Sequence, residues 1–430
     1  MFHYLPSKMV TERTSRLSEF YKLSNKKRLE FVREFANLTD QEISSLQNFG
    51  LEMGDAERMS ENVVGGFSVP IGIGANFLIN KKDYLIPMAT EESSVIAAAS
   101  NGAKIARSRG GFIAKSQGSQ MRAQIQVVNL PDFNRAEGTI IESKDFILKT
   151  ANKRAPTLNS LGGGAKDLKV RRLRTDRGDM LVVELFVDCQ DAMGGNTCNN
   201  MAEEIAPIVA SLSGGRVVMG VVSNLASERL VTATALFDKE ALGGGKIVEA
   251  ILDADSFARY DPYRGVTHNK GIMNGVVAVG LATGQDTRAL EAGVHSYASM
   301  GGRYRPLTSW KANEKGDLIG TLEMPIVVGT IGGASTVHPI ARICLKILGV
   351  SGAPELAEVM ASVGLAQNLA ALRALVSEGI QKGHMRLHAQ NIAISAGATG
   401  PLVEEISGTM IREEKISFNY AKKLLSEKGA

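Results

Sequence analysis

Between residues 111 and 222 the periodic segments run strand, helix, strand, strand, helix, strand, and this order restricts the chain more than any other feature. Ala123 to Leu130 (AQIQVVNL) reads as a strand, and Gly138 to Asn152 as a strand or linker running into a helix. Leu168 to Leu173 and Met180 to Val187 alternate as strands, Met201 to Leu212 reads as a helix and Arg216 to Val222 as a strand. Elements in that order build a small ferredoxin-like unit of about 110 residues. On either side the chain is rich in Ala, Gly and Val. The sequence therefore predicts a multidomain α+β/α/β protein. A large mixed α/β domain (1–110 and 223–378) is interrupted by the small domain (111–222) and finished by a helical C-terminal segment (379–430).

Local signals fit this division. Ser24 can cap a helix carrying Leu29, Val32 and Phe35 at helical spacing, and Thr39-Asp40-Gln41-Glu42 is a capping-box pattern. Residues 63–88 are Gly- and β-rich, and Ser93 to Ala106 reads as a buried helix entered from Pro87. The run Glu413 to Leu425 is amphipathic.

The 430 residues, 44% hydrophobic and 22% charged, suit a soluble globular protein with more than one core. A net charge of +4 is too mild for a committed nucleic-acid binder. The densest basic stretch, Lys169 to Arg177, is broken by apolar residues as in a half-exposed strand. Cys189, Cys198 and Cys344 have neither CxxC nor metal-ligand spacing, which predicts a reduced, cytoplasmic setting. No apolar run reaches the ~18 residues expected of a membrane span, and no signal peptide is evident.

Common cofactor signatures are missing. GxGxxG does not occur between a strand and a helix. Gly162-Gly163-Gly164-Ala165-Lys166 and Gly243-Gly244-Gly245-Lys246 lack P-loop spacing. His384 and His388 lie four apart without a third ligand, so no metal is expected. Asp191-Ala192-Met193-Gly194-Gly195-Asn196 follows a strand and opens a helix. It is either an Asp-capped turn or a turn that lets backbone amides approach a phosphate.

Thr267-His268-Asn269-Lys270-Gly271-Ile272-Met273-Asn274-Gly275 places one lysine at the head of an apolar run. It is either a snorkelling lysine at the end of a core element or a cation held in dry surroundings to meet a developing negative charge. Glu91 and Glu92 sit at an expected helix start, as dipole-matching carboxylates or as a catalytic acid. His384 follows Gly383 near a domain edge, as a surface histidine or a mobile proton donor.

Together these segments resemble the 3-hydroxy-3-methylglutaryl-coenzyme A (HMG-CoA) reductases of class II. The matching stretches are Glu61 to Gly65, Pro87 to Glu92 with Ser94, Asp191 to Asn196, Ser223-Asn224, Thr267 to Gly275, Ala282 to Arg288, Gly364 to Asn368, and Ser377 to His384. They occur in the family's order from about residue 55 to 390. The resemblance implies reduction of HMG-CoA to mevalonate and coenzyme A by two hydride transfers from a nicotinamide cofactor. It implies Glu92, Lys270, Asp286 and His384 as catalytic residues. Lys270 would stabilise the oxyanion, His384 would protonate the departing thiolate, and Glu92 would supply a proton within a network with Lys270 and Asp286. Ser94, Arg264, Asn274 and Asn368 would contact the hydroxymethylglutaryl group. The dinucleotide would lie against Asp191, Met193, Gly194, Asn196 and Asn224 of the small domain. A homodimer with shared active sites is implied, Glu61 to Gly65 lying at its interface, as is a C-terminal flap carrying His384.

Two departures stand out. Where NADH-using relatives carry an aspartate, this chain has Asn152 followed by Lys153 and Arg154, a pattern that favours NADPH over NADH. Ser93 replaces a proline common in class II, so the entry to the following helix differs. The same site could run in reverse to oxidise mevalonate. A non-catalytic coenzyme A-binding homologue is the other alternative.

Overall fold

The computed structural model describes residues 14–17, 19–48, 51–377 and 380–428, the side chains of 380–387 lying outside that description. Among these residues the strands are β1 (Ile71–Ile79), β2 (Lys82–Ala89), β3 (Phe112–Ser116), β4 (Gln120–Val128), β5 (Gly164–Leu173), β6 (Met180–Asp188), β7 (Arg216–Val222), β8 (Leu230–Phe237), β9 (Thr308–Ala312) and β10 (Leu318–Pro325). They form a six-stranded sheet in the order β2-β1-β3-β8-β10-β9 and a four-stranded sheet in the order β5-β6-β4-β7.

The large sheet begins with a tight hairpin. Asn80 and Lys81, at φ 49° and 67°, make the two-residue turn between β1 and β2, and a turn with two positive φ angles matches the strands' right-handed twist. β3 pairs with β8 and touches β1, so Phe112–Ser116 belongs to the large sheet. The second sheet thus starts at Gln120 rather than at residue 111.

In the small sheet every neighbouring pair is antiparallel, and the crossovers are helical. β4 returns to β5 through the helices Phe133–Glu142 and Lys144–Asn152, and β6 to β7 through Gly195–Ser213. The stretch expected as strand or linker from Gly138 is therefore helical. Ala136, Ile140, Ile147 and Ala151 face the sheet at helical spacing, and burial on that face outweighs the strand preference of Thr139-Ile140-Ile141.

The helix Ala353–Val376 lies against β3, β8 and β10 and between Val95–Arg107 and Pro262–Ala282. Fifteen of its 24 residues are buried, which accounts for a helix apolar around most of its circumference. By length and composition alone it could cross a membrane, contrary to the expectation that no apolar run is long enough; here it is the central core helix. At Gly102 a Cβ would come within 2.3 Å of the Ala366 carbonyl oxygen, so only glycine allows the two helices this approach. The C-terminal helices Ile380–Ser395, Pro401–Arg412 and Phe418–Glu427 share a separate core of Ala389, Ala393, Ile406, Met410, Ala421 and Leu425. The chain breaks helix at 413–417, so the expected amphipathic run is helical only from Phe418. Ser24 caps its helix and Thr39 with Glu42 forms the capping box, both as the sequence predicts.

Candidate active site

β2 ends at Ala89 and the next helix starts only at Val95, so Glu91 and Glu92 lie in the connecting turn and not in a helix. The Glu92 amide donates to Thr90 Oγ1 at 3.1 Å. Ser94 caps the helix from the left-handed region, at φ 72°. A serine held there costs of order 1–3 kcal/mol, strain of the kind that concentrates at functional sites. Pro262–Ala282 is one continuous helix capped by Asp261, and it carries Arg264, Lys270 and Asn274.

The turn and this helix meet at Glu92. Lys270 Nζ donates to Glu92 Oε2 at 2.8 Å, and Asn274 Nδ2 donates to Glu92 Oε1 at 3.3 Å. Residues four apart on a helix share a face, so both carboxylate oxygens are met from one surface. That surface is open: the Lys270 side chain is 58% exposed and that of Glu92 42%. The dry lysine expected from sequence is thus corrected. His268, Asn269, Ile272 and Met273 point into the core, while Lys270 occupies the opposite face. An exposed ion pair contributes only about 0–1 kcal/mol to stability, so the pair is poorly explained as a structural brace.

Asp286 sits elsewhere in the hydrogen-bond scheme. It caps the helix Thr287–Ser299 by accepting from the amides of Arg288 and Ala289, both at 3.1 Å, and pairs with the Arg288 guanidinium at 3.3 Å. No hydrogen bond joins it to Lys270 or Glu92, so two of the three members of the expected network are brought together and the third is not. His384 falls in the helix Ile380–Ser395, among the residues whose side chains lie outside the description.

Two of the candidate substrate residues point inward. Arg264 is half-buried, and loss of solvent lowers its pKa. Asn368 is 1% exposed, and its Oδ1 accepts from Thr308 Oγ1 at 3.0 Å and from Trp310 Nε1 at 3.1 Å.

Beside the four-stranded sheet, Gly194 caps the Gly195–Ser213 helix at φ 100°, where a Cβ would lie 2.2 Å from the Cys189 sulfur. The turn therefore needs glycine twice over, for its φ and for its space. Asp191 Oδ1 accepts from the Ala353 amide at 2.8 Å, so this carboxylate tethers the turn to the start of the core helix. Asn196 is exposed in the first turn, beside amides without intrahelical partners. Asn224 is also exposed, and its backbone carbonyl packs against Gly293.

Asn152 stands close to this turn. Its Nδ2 donates to the Ala165 carbonyl at 3.1 Å and its Oδ1 accepts from the Ala165 amide at 2.7 Å, fastening the helix end to β5 next to the Asp188 end of β6. Arg154 is paired with Glu204 at 2.6 Å, while Lys153 is exposed at the same helix end. Of the two expected cations, one is already engaged by a carboxylate.

One residue escaped the sequence reading. Arg229 is 4% exposed and has no carboxylate partner among the described residues. It donates to the carbonyls of Ala192 at 3.2 Å, Met193 at 3.0 Å and Val328 at 3.2 Å. It thereby holds the Asp191–Asn196 turn against Val328, just beyond β10, and burial lowers its pKa. A signal was present: Arg229 is in phase with Val231, Ala233, Ala235 and Phe237, all buried on β8.

Residues 24–389 match the family model described as hydroxymethylglutaryl-coenzyme A reductase. The 3-hydroxy-3-methylglutaryl-coenzyme A reductase of Archaeoglobus fulgidus is 52% identical over 423 residues, 98% of this chain and 97% of that protein. A probable 3-hydroxy-3-methylglutaryl-coenzyme A reductase of Borreliella burgdorferi is 38% identical over 340 residues, covering 78% and 77% of the two chains. The class II 3-hydroxy-3-methylglutaryl-CoA reductase of Streptococcus pneumoniae, solved bound to NADPH in open conformations, superposes with a TM-score of 0.80. It is 39% identical and covers 95% of this chain and 100% of that one.

A mixed α/β scaffold that sets an ammonium–carboxylate pair apart from a glycine-capped helix start is that of an NAD(P)H-dependent oxidoreductase. The chain belongs to the hydroxymethylglutaryl-coenzyme A reductase family.

Proposed function

We propose that the protein reduces HMG-CoA to mevalonate and coenzyme A, in the biosynthetic direction, and that Lys270 and Glu92 carry the polar chemistry. The 2.8 Å contact between these two side chains, exposed where stability gains little from it, is the observation that carries this reading. Bound reduced nicotinamide supplies hydride to the thioester and then to the aldehyde carbonyl. Lys270 stabilises the oxygen that becomes negative at each addition, and a fixed donor of this kind is commonly worth ~2.7–4 kcal/mol. Glu92 passes a proton to the aldehyde-derived oxygen, and His384 protonates the departing coenzyme A thiolate. Asp286 joins the network once its helix-capping bonds are exchanged. Ser94, Arg264 and Asn274 contact the hydroxymethylglutaryl group, and Asn368 acts from beneath by holding Thr308 and Trp310 in place.

The residues around the Asp191–Asn196 turn fit a dinucleotide. Gly194, the free amides that follow it and Asn196 would meet the pyrophosphate, with Met193 and Asn224 flanking. NADPH is the preferred cofactor: Asn152 brings no negative charge, and exposed Lys153 is free to meet a 2′-phosphate. The NADPH-bound Streptococcus pneumoniae relative supports this choice.

The ferredoxin-like small domain spans about residues 117–222, the large domain the chain on either side, and the segment from 379 onward is the flap. Exposed Val64 and Phe67, 97% and 93% accessible, support a homodimer in which Glu61 to Gly65 meets the partner. The protein works in the cytoplasm. The test is loss of reduced-cofactor absorbance that depends on HMG-CoA, compared for NADPH and NADH. Two cofactors consumed per mevalonate formed is the expected result; none consumed above background overturns the proposal.

A further inference from the structure

His268, two residues before Lys270, ends a buried chain of four side chains whose proton positions can be deduced. The indole Nε1 of Trp310 can only donate, and it points at Asn368 at 3.1 Å, so the atom it meets is the amide oxygen. Thr308 Oγ1, 3.0 Å from that same oxygen, must then spend its single proton on it. With its proton committed, Thr308 can only accept from the ring nitrogen 2.6 Å away, which makes His268 Nε2 the protonated nitrogen. Nδ1 is left as a bare acceptor. It is buried without a partner among the described residues, in a residue 2% exposed. An unmet acceptor in such a place is destabilising, so its retention calls for a role. The cation that acts on the ring is Arg264, one helical turn earlier and half-buried. Asn269 adds a second fastening: its Nδ2 donates to the Arg305 carbonyl at 2.9 Å and its Oδ1 accepts from the Leu307 amide at 3.0 Å.

We propose that His268 is a positioning residue for substrate binding: the Trp310–Asn368–Thr308 chain keeps Nδ1 unprotonated and ready, so that when substrate binds it accepts from the Arg264 guanidinium, one helical turn away, and aims that guanidinium at the carboxylate of the hydroxymethylglutaryl group. This rests on the reading of Arg264 as a contact of that group. A neutral acceptor orients the guanidinium without cancelling the charge needed by an anionic substrate, which a carboxylate in its place would do. The specificity of the helix for a carboxylate-bearing thioester is thereby set from the core, through residues that never touch the substrate.

The test uses the full chain labelled with 15N-histidine, with the His268 signals assigned through His268→Gln. Nitrogen–proton correlation spectra are expected to show the Nε2-protonated ring, with a further shift of Nδ1 on adding HMG-CoA. Thr308→Val is expected to raise KM for HMG-CoA about tenfold, with KM for NADPH and kcat within about twofold of the parent. Thr308→Ser restores the parent value, and Trp310→Phe, which removes only the head of the chain, raises KM in the same direction. An Nδ1-protonated His268 overturns the proposal even if Arg264→Ala proves deleterious. An Arg264→Ala variant with unchanged KM for HMG-CoA also overturns it, by removing the substrate reading of Arg264, and the spectra separate the two failures.

Discussion

Lys270 Nζ lies 2.8 Å from Glu92 Oε2, joining the middle of a long helix to a turn 178 residues earlier in the chain. The helix can present Lys270 outward because His268 and Asn269, the two residues before it, are bonded to the segment that leads into β9. The reactive cation is thus fixed by its neighbours' inward bonds, while its own head group stays available.

Burial lowers the His268 pKa to about 3, with the Arg264 cation acting in the same direction. The unfolded ring has the ordinary value of 6.5, so between these values the unfolded chain binds more protons. Stability therefore rises with pH through this window and is lost as pH falls below 6.5. From pH 7 to pH 5 the loss assigned to this residue is about 2 kcal/mol. Urea unfolding at the two pH values should show that difference in the parent and a smaller one in His268→Gln.

Glu355 behaves as an acidic latch between the core helix and β2. Burial would raise its pKa, but hydrogen bonds from Lys82, Ser351 and Tyr84 outweigh it and hold the carboxyl at about 2. With a depressed folded value, its stabilisation is present above pH 4.5 and is lost as pH falls toward 2. Glu355→Gln should lower stability by about 2–3 kcal/mol at pH 7 and flatten the acid limb of the stability curve. Equal acid sensitivity in parent and variant would contradict this.

Asn152 explains why an aspartate is costly at its position in this chain. Asn152→Asp removes the donor to the Ala165 carbonyl and sets a carboxylate against it. The expected result is a loss of about 1–3 kcal/mol in unfolding free energy, with weaker NADPH binding as the helix end shifts. Lys153→Glu, on the exposed side, should leave stability unchanged and lower kcat/KM for NADPH about tenfold, with little effect on NADH. Equal losses for the two cofactors would place the 2′-phosphate elsewhere.

Arg229→Met should loosen the Asp191–Asn196 turn, because the carbonyls of Ala192, Met193 and Val328 all lose their donor. A higher KM for the cofactor and a stability loss of about 1–3 kcal/mol are expected, with KM for HMG-CoA nearly unchanged.

Short-range signals were legible in the sequence. The Thr39 capping box, the strand Arg216–Val222 and the succession of elements from β4 to β7 depend on neighbours in sequence, and they are where those neighbours predict. The pairing of Lys270 with Glu92 was legible only through the joint presence of both motifs. What failed was orientation about a helix axis: the apolar run after Lys270 marks the buried face, and Lys270, about 160° around the axis from Ile272, is turned away from it. Phe112–Ser116 was misassigned because its partners, β1 and β8, are far away in sequence. Asp286 read as a network carboxylate, but its own following amides compete for it, as they do for any aspartate before a helix.

The most direct test of the central claim is the turnover of Lys270→Met with HMG-CoA and NADPH, measured beside its urea midpoint. Lys270 stabilising the oxyanion predicts a fall in kcat of about 10²–10³-fold with the midpoint almost unmoved, since the exposed pair adds only about 0–1 kcal/mol to folding. Near-parental turnover in a folded Lys270→Met protein would contradict the account.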